Sequence, residues 1–342
     1  MESLPDAATR PPQRIAIVTP VLDDWEPLAQ LVGDILENAA QAGVTFHMFV
    51  VDDGSASKLD PASLPLTLTG CIARVDVITL GLNLGHQRAI AVGLVTVAVR
   101  DDIHAVVVMD SDGEDRPSDI VRLLAVARDR PQTVVLAGRA RRTESSRFRA
   151  GYAAYKLLFR LMVGRQISFG NFCVLPIAAV RRLVYMPELW NNLPAAVLRS
   201  RLPHVMVPTE RGWRYSGASK MNLVSLVVHG LSAISVYVDT IFVRVLLVSA
   251  VFAALTIMGI VAAVVIRLFT ALAIPGWTTT AVGALLILLV QTIVLVVATT
   301  LMSLSGRSAR PIVPRNDCAT FISRIETVWE KPLLAAAKSI IA

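Results

Sequence analysis

The sequence is short of charge. Asp, Glu, Lys and Arg make up only 17% of its 342 residues and hydrophobic residues 54%, whereas an ordinary soluble domain carries roughly a quarter charged residues. Mean hydropathy is +0.59. This balance argues against a wholly soluble chain and for a domain joined to a membrane segment. Cysteine is scarce as well. Cys71, Cys173 and Cys318 stand far apart with no C-x-x-C pair, which excludes a disulfide framework and a zinc pattern and leaves reduced, structural thiols. No repeat or low-complexity tract is present. The opening MESLPDAATRPPQR lacks the apolar core of a signal sequence. Residues 1–13 read as a disordered lead, with the following domain on the cytoplasmic side. The formal charge of +7 is read as facing anionic phosphates and lipid headgroups, and nucleic acid is not expected as a partner.

What the chain does have is two long uncharged runs, 245–266 and 278–305. A membrane span needs about 20 apolar residues, so transmembrane helices are expected over 241–268 and 278–305. The intervening RLFTALAIPGWTT holds Pro275, Gly276 and Trp277, the makings of a tight turn with an interfacial indole. Arg244 precedes the first run, and Arg307, Arg310 and Arg315 follow the second. These place both ends in the cytoplasm, against the weaker opposite signal of Arg267. Residues 306–342 read as a cytoplasmic tail.

Upstream, over 14–221, the pattern changes. RIAIVTPV, FHMFVVDDGS, VDVITLGLN, HAVVVMDSD and TVVLAGR are short β-branched runs ending in Gly, Asp or Asn. Helical stretches lie between them, over 26–41 and 87–99. Alternating strands and helices imply an α/β fold with a mainly parallel sheet, whose ligand site lies beyond the carboxyl ends of the strands. Two further stretches, 151–164 and 222–239, read either as interfacial amphipathic helices or as elements packed on the sheet. The second is assigned as an interfacial helix over 222–240.

The acidic residues collect at strand ends. Asp110, Asp112 and Glu114 alternate after the HAVVVM run. Gathered carboxylates repel one another unless a cation is present, and hard oxygen ligands suit Mg2+ or Mn2+ gripping a diphosphate. The plain reading is an acidic turn opening a helix, with Asp115 as cap and Pro117 near its start. Asp52 and Asp53 end the second strand. They read either as hydrogen-bond acceptors for a ribose or base, or as a turn with Gly54 and Ser55. Asn83 and Gly85 form a turn before the next helix, where His86 and Arg88 read as contacts for a phosphate or base, or as structural residues.

Taken together, these pieces resemble glycosyltransferase family 2, of the GT-A fold, and within it the polyprenyl-phosphate glycosyltransferases with a C-terminal membrane hairpin. The family's P-x-Y-N-E is represented by Pro20, Val21, Leu22, Asp23 and Asp24. V-D-D-G-S is intact at residues 51–55, N-F-G-H-Q becomes NLGHQ at 83–87, D-A-D-L-Q-D-P-P becomes DSDGEDRP at 110–117, and R-x-x-G-x-S-K-Y becomes RYSGASKM at 214–221. Leu22 replaces the usual aromatic, Asp24 a glutamate, Glu114 a glutamine and Asn171 a frequent aspartate. The processive Q-x-x-R-W motif is absent.

The resemblance implies an inverting transfer of one sugar from a UDP- or GDP-sugar to a polyprenyl phosphate at the bacterial cytoplasmic membrane. It implies donor binding by Pro20, Leu22, Asp24, Asp52, Asp53, Asn83, His86 and Gln87, and metal binding by Asp110, Asp112 and Glu114. Arg139, Arg214 and Lys220 would work on phosphate, with Arg147 or Arg149 and Ser219 on the acceptor. Relatives also suggest a homo-oligomer. The alternatives are a membrane-anchored transferase with another acceptor and a non-catalytic scaffold.

Overall fold

The computed structural model describes residues 13–67, 70–139, 164, 169–216, 232, 234–270, 274–308 and 310–332. They fall into two compact units, one drawn from Met1–Thr143, Ile167–Val236 and Ile312–Ala342, the other from Glu144–Gln166 and Tyr237–Pro311. Residues 1–12 of the expected lead (1–13), most of the 151–164 stretch, and residues 222–231 and 233 of the expected interfacial helix lie outside the described residues.

The first unit is built on an eight-stranded sheet in the order β7-β5-β6-β4-β1-β2-β3-β8. The strands are β1 Arg14–Val21, β2 Thr45–Asp52, β3 Ile72–Leu80, β4 Ala105–Val108, β5 Val134–Arg139, β6 Phe169–Pro176, β7 His204–Thr209 and β8 Ile322–Glu330. β1 pairs in parallel with β2 and β4, β2 with β3, and β5 with β7. β6 runs antiparallel between β4 and β5, and β8 runs antiparallel along β3. The α/β, mainly parallel sheet expected from the sequence is therefore present.

β1 reads as an unbroken apolar run because both its faces are covered, and every residue after Arg14 is buried. Successive side chains point to opposite faces. Ile15 and Ile17 join the core under α1 (Trp25–Asn38) and α3 (Pro117–Asp129). Ala16 and Val18 join the core under α2 (His86–Ala98), α4 (Ile177–Leu183) and α5 (Leu193–Arg199). This sandwich fixes the ends of β1, β2 and β4 side by side, which is where the acidic residues lie.

β8 comes from the stretch expected as a tail. It follows both apolar helices in sequence yet completes the sheet beside β3. A buried polar group fastens it. Asp76 of β3 is 2% exposed and accepts hydrogen bonds from His47 Nε2 (2.9 Å), Arg74 Nε (2.9 Å) and Thr327 Oγ1 of β8 (2.8 Å). Arg74 also bonds Thr327 and Glu330. Burial pushes the Asp76 carboxyl up, but these hydrogen bonds outweigh it and hold it at about 2.

The second unit contains α6 (Val238–Phe269) and α7 (Trp277–Ser308), each 32 residues. At 1.5 Å per residue each extends about 48 Å, more than the roughly 30 Å of a bilayer's hydrocarbon. Both are long and apolar enough to cross a membrane. They pack on each other, and the buried residues of α6 are small ones seven apart: Ser249, Thr256 and Ala263. Small residues let helices approach closely in lipid. Hydroxyls inside the helices bond back to carbonyls one turn earlier, as in Thr256 to Phe252 and Thr292 to Leu288, which satisfies them without water.

Candidate active site

The site grows from four strand ends. At the end of β1, Pro20 is buried and Leu22 and Asp24 are half-buried. Asp23 has φ 51° and is tied to the loop after β2: its amide donates to Ser55 Oγ (2.8 Å), and its Oδ1 accepts from the Ala56 amide (2.7 Å).

The loop after β2 is an architectural one. Asp52 Oδ1 accepts from the Ser55 amide (2.9 Å), closing the turn. Asp53, 3% exposed, accepts from the amides of Leu84 (2.7 Å) and Gly85 (2.9 Å), one on each oxygen. It thereby fastens the turn that opens α2. Burial raises the Asp53 carboxyl, and the two amides and His86 offset only part of that rise. The turn-building reading thus describes Asp53 and the Oδ1 of Asp52.

Gln87 and His86, at the start of α2, belong to a hydrogen-bonded chain. The Leu193 amide donates to Gln87 Oε1 (2.8 Å), Gln87 Nε2 donates to Asn171 Oδ1 (2.9 Å), and Asn171 Nδ2 lies 2.8 Å from His86 Nε2. A backbone N–H only donates, so the direction from Leu193 to Asn171 is set at Leu193. Asp110 Oδ1 lies 3.1 Å from the same His86 nitrogen. Burial lowers the imidazole pKa, and Asp110, helped by Asp115 and Asp112, more than reverses this. His86 thus serves Asp110 and Asn171, and Gln87, 9% exposed, braces the end of α5.

After β4 the chain turns through Gly113 at φ +85°. Asp115 Oδ2 accepts from the Asp110 amide (3.1 Å), and Asp112 Oδ1 from the Glu114 amide (3.0 Å). Asp115 does not cap α3, whose N-cap is Arg116 with Pro117 following. The Asp112 carboxyl is raised by burial and by Asp110 and Glu114, with Arg214 opposing.

The loop after β7 lies along this acidic turn. Arg211 bridges Asp115, the Gly212 amide donates to Glu114 O (2.9 Å) and the Tyr215 amide to Asp112 O (2.9 Å). Arg214 Nη2 stands 3.1 Å from Asp112 Oδ2, and Arg211 pairs with Glu114. Tyr215 donates to Asp34 Oδ2 (2.5 Å), and its ring lies 2.7 Å from where a Cβ on Gly113 would sit. Arg211, Tyr215 and Asp34 were not singled out in sequence. Their partners are distant in the chain, so no spacing signals them.

Among the described residues, no three His, Cys, Asp or Glu side chains converge as a metal cage. Asp110 and Asp112 nevertheless fit a hard divalent ion that draws its remaining ligands from phosphate and water. The Asp112 carboxyl, raised by burial and by the neighbouring Asp110 and Glu114 carboxylates, calls for positive charge. Glu114 is paired with Arg211. Arg139 ends β5 opposite Thr209 of β7, and Asn83 lies in the turn before α2. Arg147, Arg149, Ser219 and Lys220 lie outside the described residues.

Comparison with known proteins gives the family. The model for glycosyl transferase family 2 matches residues 16–185. An undecaprenyl-phosphate 4-deoxy-4-formamido-L-arabinose transferase of Sodalis glossinidius is 26% identical over 219 residues, covering 63% of this chain and 64% of that protein. The Proteus mirabilis protein of the same name is 26% identical over 229 residues, covering 62% and 65%. The match thus spans less than two thirds of the length of these relatives. Among solved structures, mannosyl-3-phosphoglycerate synthase from Rubrobacter xylanophilus has a TM-score of 0.47 at 17% identity, covering 66% of this chain and 72% of that one. Glucosyl-3-phosphoglycerate synthase from Mycobacterium tuberculosis has a TM-score of 0.44 at 15% identity, covering 67% and 80%. With a mainly parallel sheet and the family match over residues 16–185, the chain carries a glycosyl transferase family 2 domain of GT-A-like fold.

Proposed function

We propose that this protein transfers one sugar from a nucleoside-diphosphate sugar to a polyprenyl phosphate at the cytoplasmic face of a bacterial inner membrane. The observation that carries this reading is the acidic strand end, with Asp110 and Asp112 beside Arg214, in a family 2 domain whose chain continues into two membrane-length helices. The undecaprenyl phosphate in the names of the relatives supports the acceptor.

The acceptor phosphate is already an anionic nucleophile near neutral pH, so the reaction needs no strong general base. One of its oxygens attacks the anomeric carbon in line. The new C–O bond forms as the bond to the nucleoside diphosphate breaks, and the configuration inverts. The barrier lies in bringing two anions together. Arg214 screens that charge, and Asp110 and Asp112 would hold Mg2+ or Mn2+. Bound there, the ion would neutralise charge on the departing diphosphate. A polyprenyl chain leaves the bilayer only at about 0.8 kcal/mol per exposed CH2, which is why a hairpin keeps the enzyme at the membrane.

The orientation of that hairpin is supported by the sheet. β3 precedes both apolar helices and β8 follows them, yet the two strands pair. A chain that crosses twice returns to the side it left. The arginines flanking the pair, Arg244 before and Arg307, Arg310 and Arg315 after, favour the cytoplasm as that side.

The full chain in nanodiscs, given undecaprenyl phosphate and radiolabelled UDP- and GDP-sugars, should produce label that extracts into organic solvent only when a divalent ion is supplied. Label confined to water-soluble products with every donor would refute the acceptor assignment.

A further inference from the structure

We propose that Arg211, through its ion pair with Glu114, is a positioning residue that docks the loop after β7 onto the acidic turn and so delivers Arg214 to the donor diphosphate. The inference rests on the proposed transferase reading. Among the described residues, ion pairs cross between the two loops at Arg116–Glu210 (2.7 Å), Arg211–Glu114, and Arg214–Asp112 (3.1 Å). The first is largely exposed, with Glu210 at 80%, and solvent leaves such a pair little strength. The third joins the two groups the chemistry needs. Once Asp112 turns to a cation and Arg214 to a phosphate, that pair no longer fastens the loop.

The pair that remains is Arg211–Glu114, whose side chains are 30% and 18% exposed. It lies where the backbones are already joined, through the Asp115–Arg211 bridge and the Gly212 amide. The approach is close enough that a side chain on Gly212 would run into Gly113 O. Glu114 therefore acts on the loop and not on the metal.

The test uses the full chain in nanodiscs and three variants: Glu114→Gln, Arg211→Met, and the exchanged pair Glu114→Arg with Arg211→Glu. Amide exchange over 210–216 is measured without ligand, binding of Mn2+ alone by electron paramagnetic resonance, and turnover with undecaprenyl phosphate. Each single variant is expected to speed loop exchange about tenfold and to lower kcat about tenfold, with Mn2+ affinity within about threefold of wild type. The exchanged pair should recover most of both losses. If Glu114→Gln weakens Mn2+ binding tenfold while Arg211→Met does not, Glu114 is a metal ligand and the proposal fails. It also fails if loop exchange is unchanged in both single variants. Loosened loops in a wild-type background that never glycosylates polyprenyl phosphate would leave the docking standing and remove the transferase reading instead.

Discussion

At the scale of single residues, the carboxylates at the strand ends divide by what their oxygens touch. Asp53 has both oxygens on backbone amides, whereas Asp112 has one on the Glu114 amide and the other beside Arg214. The same substitution should therefore have different consequences. Asp53→Ala leaves two half-buried amides without their acceptor and should cost about 1–2 kcal/mol of stability, seen as a lowered unfolding midpoint. Asp112→Asn should keep the midpoint and lower kcat by about a hundredfold or more, with loss of any metal-linked gain in nucleotide affinity. In sequence the two look alike, as aspartates closing apolar runs. Spacing reveals that a carboxylate ends a strand but not which donors surround it. Glu114 is the clearest case, since its partner Arg211 belongs to a distant loop.

Asp76 gives a prediction in pH. Its folded value, about 2, lies below the ordinary 3.9 of an aspartate. A depressed carboxyl stabilises the fold above its unfolded pKa, and that contribution disappears as pH falls from about 4 through about 2. The gap corresponds to about 2–3 kcal/mol. Thermal unfolding between pH 5 and 2 should show a fall in midpoint that Asp76→Asn flattens, the variant being the less stable above pH 4. Parallel curves for the two proteins would mean that Asp76 does not carry this dependence.

At the scale of elements, the central strands were legible because burial on both faces demands unbroken β-branched runs. RIAIVTPV became β1 and TVVLAGR the body of β5. Helix limits were close: 26–41 was expected where α1 spans Trp25–Asn38. The uncharged runs at 245–266 and 278–305 lie within α6 and α7. β8 escaped notice because an edge strand has one side in water. ISRIETVWE mixes charges among its apolar residues and is mostly exposed, so it reads as a tail until β3 is seen beside it. The strand is nonetheless expected to matter. A chain ending after residue 311 should lose the Thr327 and Glu330 contacts to Arg74 and leave the β3 edge open. Its unfolding midpoint should fall, and amide exchange should rise first in β3. Unchanged exchange in β3 would show β8 to be dispensable.

At the scale of the whole molecule, the described sheet takes strands from both sides of the apolar helix pair. This arrangement makes topology testable with cysteines in the native background, where Cys173 and Cys318 are buried and Cys71 is partly covered. A membrane-impermeant thiol reagent applied to intact cells should label Gly276→Cys, at the turn between α6 and α7, and not Ser323→Cys on β8. In inverted vesicles the preference should reverse. Labelling of both positions from one side would exclude a hairpin that crosses the bilayer.

The position of β8 also dictates an order of manufacture. A ribosome releases β3 early, then α6 and α7, and only afterwards the strand that covers the β3 edge. On the proposed membrane reading, both helices enter the bilayer before β8 is released, so the nascent sheet stays one strand short, its β3 edge open, until insertion is complete.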